Sequence, residues 1–162
     1  MNVSSHVVRA AENLDYNQLV VVGIALNRSA SQQHWVYVPQ KDVVFHRYVW
    51  TSNYSPNNAP PGKSVVIAEI TVPRNQPVNL DQLVEKTLEG FEKLNVFNRR
   101  GILFVKTWHH KYGYPVYTIG HKEAREEVIT WLKEQGIETL GRWGQWRYWN
   151  MDRVLAKVLK KL

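Results

Sequence analysis

The chain contains no cysteine. That excludes disulfides, thiolate metal sites and cysteine nucleophiles. It also fits a reducing compartment, so a cytoplasmic location is expected. No apolar run reaches the ~20 residues of a membrane-spanning helix. Residues 1–18 mix His6, Arg9, Glu12 and Asp15 among small residues, unlike a signal peptide. Several chemistry-bearing spacings are missing too. There is no G-x-S-x-G, and Ser55 before Pro56 reads as a turn residue. The six histidines show no HxH or HExxH spacing, and adjacent His109 and His110 would face opposite sides of a strand. No metal site is expected. No G-x-G-x-x-G dinucleotide fingerprint occurs: Gly23 is followed by Ile24-Ala25-Leu26, which continues an apolar strand. RNP, zinc-finger and helix-turn-helix signatures are absent as well.

Acidic residues are in the minority. Asp and Glu number 14 against 21 Lys and Arg, for a formal charge of +7. That balance admits nucleic acid, anionic lipid or a phosphorylated ligand without choosing among them. The basic residues are dispersed, apart from Arg99-Arg100 and the C-terminal segment. Nucleic acid is therefore the lesser expectation. Aromatics are plentiful, with 7 Trp and 8 Tyr, and such amphipathic rings suit pockets and interfaces. The length of 162 residues fits a single domain with a real core.

Hydrophobic patterning predicts an α+β fold: a mostly antiparallel sheet with two or three packed helices and a further C-terminal helix. Leu19–Leu26 reads as a buried strand, with His34–Val38 as its hairpin partner after a polar turn. Val43–Val49 and Ser64–Val72 are further strands, separated by the Asn- and Pro-rich loop Ser52–Lys63. Glu69 interrupts an apolar strand. A buried carboxylate there needs a partner such as Arg47, whereas an edge strand would turn it to water. Asn79 reads as a helix N-cap with Gln82 three residues on, ahead of the stripe Leu83, Val84, Leu88, Phe91 and Leu94. Gly101–Trp108 is another strand and Tyr114–Ile119 a further extended piece. A helix over Lys122–Gln135 follows, with the stripe Ala124, Val128, Trp131 and Leu132 and Gly136 as its C′ residue. Ile137–Leu140 reads as a brief strand.

The segment from Gly141 to Asp152 is the most distinctive. A glycine-spaced aromatic loop runs into the apolar stripe Met151, Val154, Leu155, Val158, Leu159 and Leu162, with Arg153, Lys157, Lys160 and Lys161 off it. Asn150 or Asp152 would cap the first turn. The orphan N–H groups of that turn suit an anion, and Arg142 adds a forked, permanently charged donor. Gly141 and Gly144 permit positive φ or close backbone approach. Upstream, Tyr112, Tyr114 and Tyr117 surround Pro115. They form either a packed connection or an aromatic wall of a ligand cavity.

Three ordered stretches carry a resemblance. The first is Phe45-His46-Arg47, then Asn53-Tyr54-Ser55-Pro56 and Ala59-Pro60-Pro61-Gly62, then the strand holding Glu69. The second is Tyr114-Pro115-Val116-Tyr117. The third is Gly141-Arg142, aromatic residues, then Asn150-Met151-Asp152. Together they resemble the C-terminal part of the flavoprotein group that includes UDP-galactopyranose mutase and the protoporphyrinogen oxidase-like and amine oxidase-like proteins. The resemblance implies that Gly141 and Arg142 lie near the pyrophosphate of FAD, with the amides of Met151 and Asp152 facing flavin or phosphate. It also implies that Tyr148, matching an aromatic position on the substrate side in the mutase, belongs with Asn150 to the cofactor-contacting set. Arg47, Tyr114, Tyr117 and Trp146 would contact substrate. Trp146 stands where the mutase often has Tyr, and Asn150 where it usually has Asp, closer to the oxidase-like relatives.

On this resemblance, residues 1–120 would be substrate-binding-like and residues 121–162 the FAD-contacting segment of one domain. The chain is expected to lack the N-terminal Rossmann half of such flavoproteins. It would then hold FAD only with a Rossmann-bearing partner subunit and be inactive alone. A bare apolar face would favour self-association. The alternative is a non-enzymatic basic module for an anionic partner such as nucleic acid.

Overall fold

A computed structural model describes residues 3–160. The chain forms two compact units, one of residues 18–111 and one of residues 1–17 with 112–162. Lys161 and Leu162, expected in the last helix, lie outside the described residues.

The first unit is built on a five-stranded antiparallel sheet. Its strands are β1 (Tyr16–Leu26), β2 (Trp35–Tyr37), β3 (Arg47–Trp50), β4 (Ser64–Pro73) and β5 (Ile102–Pro115), in the order β2-β3-β4-β1-β5. Period-two alternation decides which side is core. Val20, Val22, Ile24 and Leu26 of β1 are fully buried, as are Val66, Ala68 and Ile70 of β4 and Trp50 of β3. Helix α2 (Leu80–Lys93) packs into the same cluster. Its Phe91 ring lies 4.6 Å from Phe45, 5.3 Å from Tyr48 and 4.7 Å from Phe97. Asn79 caps this helix as expected, accepting a hydrogen bond from the Gln82 amide at 3.0 Å. The next residues past α2 close it as Gly136 closes the later helix: Asn95 takes φ 54° and Val96 N–H donates to Phe91 O at 3.0 Å.

Two strand expectations need correction. Segment 34–38 does not pair with β1. Its strand β2 pairs antiparallel with β3 (Trp35↔Val49, Tyr37↔Arg47), so the hydrogen-bonding edge of β1 is left for β4 and β5. And β5 runs unbroken from Ile102 to Pro115, so Tyr114 does not begin a separate strand. On the outer face of the sheet, Arg47 stands directly opposite Glu69 in the β3–β4 register and forms an ion pair with it. Glu69 is 8% exposed on an inner strand, which settles its two readings in favour of the buried, partnered carboxylate.

The second unit holds the remaining helices: α1 (Ser5–Glu12), α3 (His121–Glu134), α4 (Gly141–Gly144) and α5 (Met151–Leu159). Helices α1 and α3 pack together, α1 burying Val7 and Ala10. Helix α3 ends as expected at Gly136, which takes φ 75°. The Ile137 amide donates to Leu132 O at 2.9 Å and the Gly136 amide to Lys133 O at 3.0 Å, a paired closure that needs a left-handed residue. Ile137–Leu140 is not a strand. It is an irregular connection without ladder partners. Among the described residues no helix is long and apolar enough to cross a membrane.

Candidate functional site

Residues 141–150 are a turn of helix and a tight reversal, not an open loop. Gly141 takes φ 81°, a conformation that side-chain-bearing residues rarely adopt, and its backbone turns the extended Leu140 into α4. Gly144 plays no such part: an added Cβ there would meet Thr139 at an ordinary 3.6 Å. The reversal is held by the Arg147 amide donating to Arg142 O at 2.9 Å and by Gln145 Nε2 donating to Thr139 O at 2.8 Å. Trp146 sits at φ 45°, with its indole N–H donating to Asp15 O at 3.3 Å. Its ring meets the edges of Tyr16 and Tyr112 at 6.2 and 6.1 Å. Left-handed backbone on a bulky residue costs of order 1–3 kcal/mol, and these contacts hold it there.

The reversal places Arg142 inside an aromatic cage. Its guanidinium carbon lies 4.0 Å from the Tyr148 ring centroid, 5.2 Å from Tyr114 and 5.4 Å from Trp143. Tyr114 and Tyr148 stack at 5.7 Å, and the Tyr148 amide donates to the Tyr117 hydroxyl at 2.8 Å. The rings offer the cation about 2 kcal/mol or less each. They accept no conventional hydrogen bond. Arg142 Nε and Nη2 are buried and have no acceptor among the described residues. A buried donor left so costs about 1–3 kcal/mol, more when charged, so the arrangement suits an oxygen-rich anion.

Arg142 also lines a groove of about 540 Å³ with Trp149, Asn150, Met151, Val154, Leu155 and Val158. Here α5 begins. Asn150 occupies the N-cap position, but among the described residues no side-chain cap bond forms, so neither Asn150 nor Asp152 makes the expected one. Those amides remain positive dipole ends. The apolar stripe of α5 is not packed: Met151, Leu155 and Leu159 are exposed and Val154 and Val158 half-buried.

Of the residues singled out in sequence, the structure gathers Tyr114, Tyr117, Gly141, Arg142, Trp146, Tyr148, Asn150, Met151 and Asp152 in one unit. Arg47 belongs to the other unit, where Glu69 and the Trp35 ring, 4.7 Å away, hold its guanidinium. His109 has a structural bond, its ring N–H donating to Gln18 Oε1 at 2.9 Å, while Gln18 Nε2 donates to Gln76 O at 2.8 Å. Among the described residues no group of three or more His, Asp or Glu side chains is arranged to hold a metal. Sequence reasoning missed His121 and Arg125. Helix α3 buries these two, not its apolar stripe, whose members are only half-buried. The signal was their i, i+4 spacing directly after Gly120, obscured by the usual exposure of Arg.

No family model matches the sequence. Solved structures do match. A reduced UDP-galactopyranose mutase superposes on 86% of this chain with a TM-score of 0.79 at 27% identity. The chain shares the fold of part of that mutase. It covers 31% of the mutase chain. A putative protoporphyrinogen oxidase from Exiguobacterium sp. 255-15 matches 81% of this chain at TM-score 0.63 and 19% identity, again over 31% of its own length. An oxidoreductase from Methanosarcina mazei matches 65% of this chain at TM-score 0.52 and 17% identity, over 25% of its length. The last two establish the fold alone. The fold group is the one the three sequence stretches resemble.

Proposed function

We propose that this chain supplies one wall of a flavin site and a substrate pocket in an FAD-dependent protein of the mutase and oxidoreductase kind. The carrying observation is Arg142: a caged guanidinium with two buried nitrogens lacking acceptors among the described residues, beside the uncapped start of α5. That donor set fits the pyrophosphate of FAD, with Gly141 and Arg142 nearest to it and the amides of Met151 and Asp152 toward flavin or phosphate. Tyr148 and Asn150 complete the cofactor side. Tyr114, Tyr117 and Trp146 are proposed for substrate; Arg47, tied to Glu69 in the other unit, is left out. When bound, FAD would supply the redox chemistry, and the chain's own groups bind, orient and exclude water.

The exposed stripe of α5 supports the rest of the reading. An amphipathic helix of this kind is normally covered, and the fingerprint that holds the ADP moiety is not in this sequence. A Rossmann-bearing partner would cover α5 and complete the cofactor site; self-association would cover it otherwise. A basic module for nucleic acid is less supported. Arg99 of the Arg99-Arg100 cluster is tied to Glu85 at 2.7 Å and Glu92 at 3.2 Å, and Lys93 to Asp42.

Co-expression with a candidate Rossmann subunit, scored by flavin absorbance after purification, tests the proposal. The pair retains flavin and the chain alone does not. Arg142→Gln lowers retention by the pair about tenfold, the loss of one charge-assisted bond. Flavin bound tightly by the chain alone, or retention indifferent to Arg142, would sink the reading.

A further inference from the structure

The second unit contains another basic cavity, which shares only Tyr117 with the flavin reading. It has a volume of about 340 Å³ and is lined by Tyr117, His121, Lys122, Arg125 and Arg147. We propose that this cavity binds the phosphate group of a small phosphorylated molecule.

Burial is the first reason. Arg125 is 6% exposed and His121 9% exposed, levels at which charged and polar side chains require partners. Arg125 Nη2 donates to Glu126 Oε1 at 3.3 Å, but that carboxylate belongs to the adjacent residue and is itself exposed. Arg147 and Lys122 make no ion pair among the described residues. Two arginines held close enough to repel one another persist more readily when an anion lies between them. Burial and the Arg147 charge both work against the charge on Arg125.

His121 is the second, independent reason. One face of its ring is held by Tyr117, 4.4 Å away. Burial, then the nearby Arg125 and Arg147 charges, hold its pKa below the ordinary histidine value, and an anion in the cavity would favour the protonated ring. Its Nε2 is buried with no partner among the described residues. His121 is also the first residue of the fourteen-residue α3, preceded by Gly120 at φ 81° with no side-chain cap. The His121 ring, Lys122 and two guanidinium groups thus line one cavity.

Donor number selects the anion. A carboxylate presents two oxygens, whereas a terminal phosphate presents three and up to two charges, which suits donors arriving from α3 and from the 144–150 segment. The volume exceeds a bare phosphate, and the exposed Tyr117 ring at the rim offers a stacking surface for the carrier. None of this depends on flavin.

The test is a titration of the purified full chain with inorganic phosphate at constant ionic strength, read by NMR of the His121 and Tyr117 ring signals. Saturable shifts are expected, with the affinity weakened about tenfold in Arg147→Gln and unchanged in the distant Lys93→Gln. Arg147 is half-buried, so this variant disturbs the fold less than Arg125→Met, and far-UV circular dichroism checks both. A phosphate monoester should bind at least as tightly as inorganic phosphate. Absence of saturation through the millimolar range overturns the assignment. So does an unaltered affinity in folded Arg147→Gln, or equal binding of acetate at the same ionic strength.

Discussion

Removing one member of the Arg47–Glu69 pair should cost far more than replacing both. The two side chains are 13% and 11% exposed and stand opposite each other across β3 and β4. Arg47→Met would leave the Glu69 carboxylate in the sheet without the Arg47 charge. Glu69→Leu would leave the Arg47 charge against Trp35. Breaking a buried pair in this way costs about 3–5 kcal/mol, because the survivor keeps its desolvation penalty and loses its Coulomb and hydrogen-bond compensation. The double variant, Arg47→Met with Glu69→Leu, removes both penalties and adds apolar area to a cross-strand pair. It should lie within about 1 kcal/mol of wild type or above it. Equilibrium urea unfolding of the four proteins gives the cycle directly, with a coupling of about 3 kcal/mol or more expected. Single costs below about 1 kcal/mol that simply add would refute the reasoning. The pair would then behave as a solvated one, and Arg47 would be free to serve a ligand, as the resemblance to the flavoproteins implies.

Three further outcomes follow from local geometry. Gly90→Ala should lower thermal stability despite a helix-propensity gain of about 1 kcal/mol, since the new Cβ would lie 2.9 Å from Phe45 Cε1 and 3.0 Å from Val43 Cγ1 in a packed core; overpacking of about 1–3 kcal/mol outweighs the gain, and an unchanged or raised Tm would contradict it. Asn79→Ala should cost about 1 kcal/mol in chemical denaturation by removing the bond to the Gln82 amide, whereas Asn79→Ser should restore most of it. His46 should titrate below the ordinary histidine value, because burial and then the neighbouring Arg47 charge disfavour its protonated form while Glu69 partly offsets them. The unfolded chain then binds the proton first, so stability falls as pH drops below about 6.5 toward the depressed folded value. An NMR titration checks this, and Glu69→Gln should move the midpoint lower still.

Much of the local structure was legible because it rests on short-range chemistry. Asn79 and Gly136 mark helix ends through backbone bonds made within a few residues, so their neighbours suffice to identify them. Strand β4 was legible from its apolar alternation, and Glu69 announced its need for a counter-charge because a carboxylate in such a strand has few alternatives. Strand partnership was not legible. Segment 34–38 is adjacent to β1 in sequence, yet it pairs with β3, because pairing is settled by competition among all strand edges. Ile137–Leu140 has strand-like composition but found no edge.

The site divides in the same way. Residue type alone determined that Arg142 carries a permanent forked charge, that Gly141 can adopt positive φ, and that the chain from Met151 can form an amphipathic helix. Only the tertiary structure decided that tyrosines would enclose Arg142 and leave two of its N–H groups without acceptors, that Asn150 would not cap α5, and that His121 and Arg125 would be the buried face of α3. The physical reason is range. Propensity and capping are set within a turn or two of chain, whereas desolvation of a charge depends on every segment packed around it.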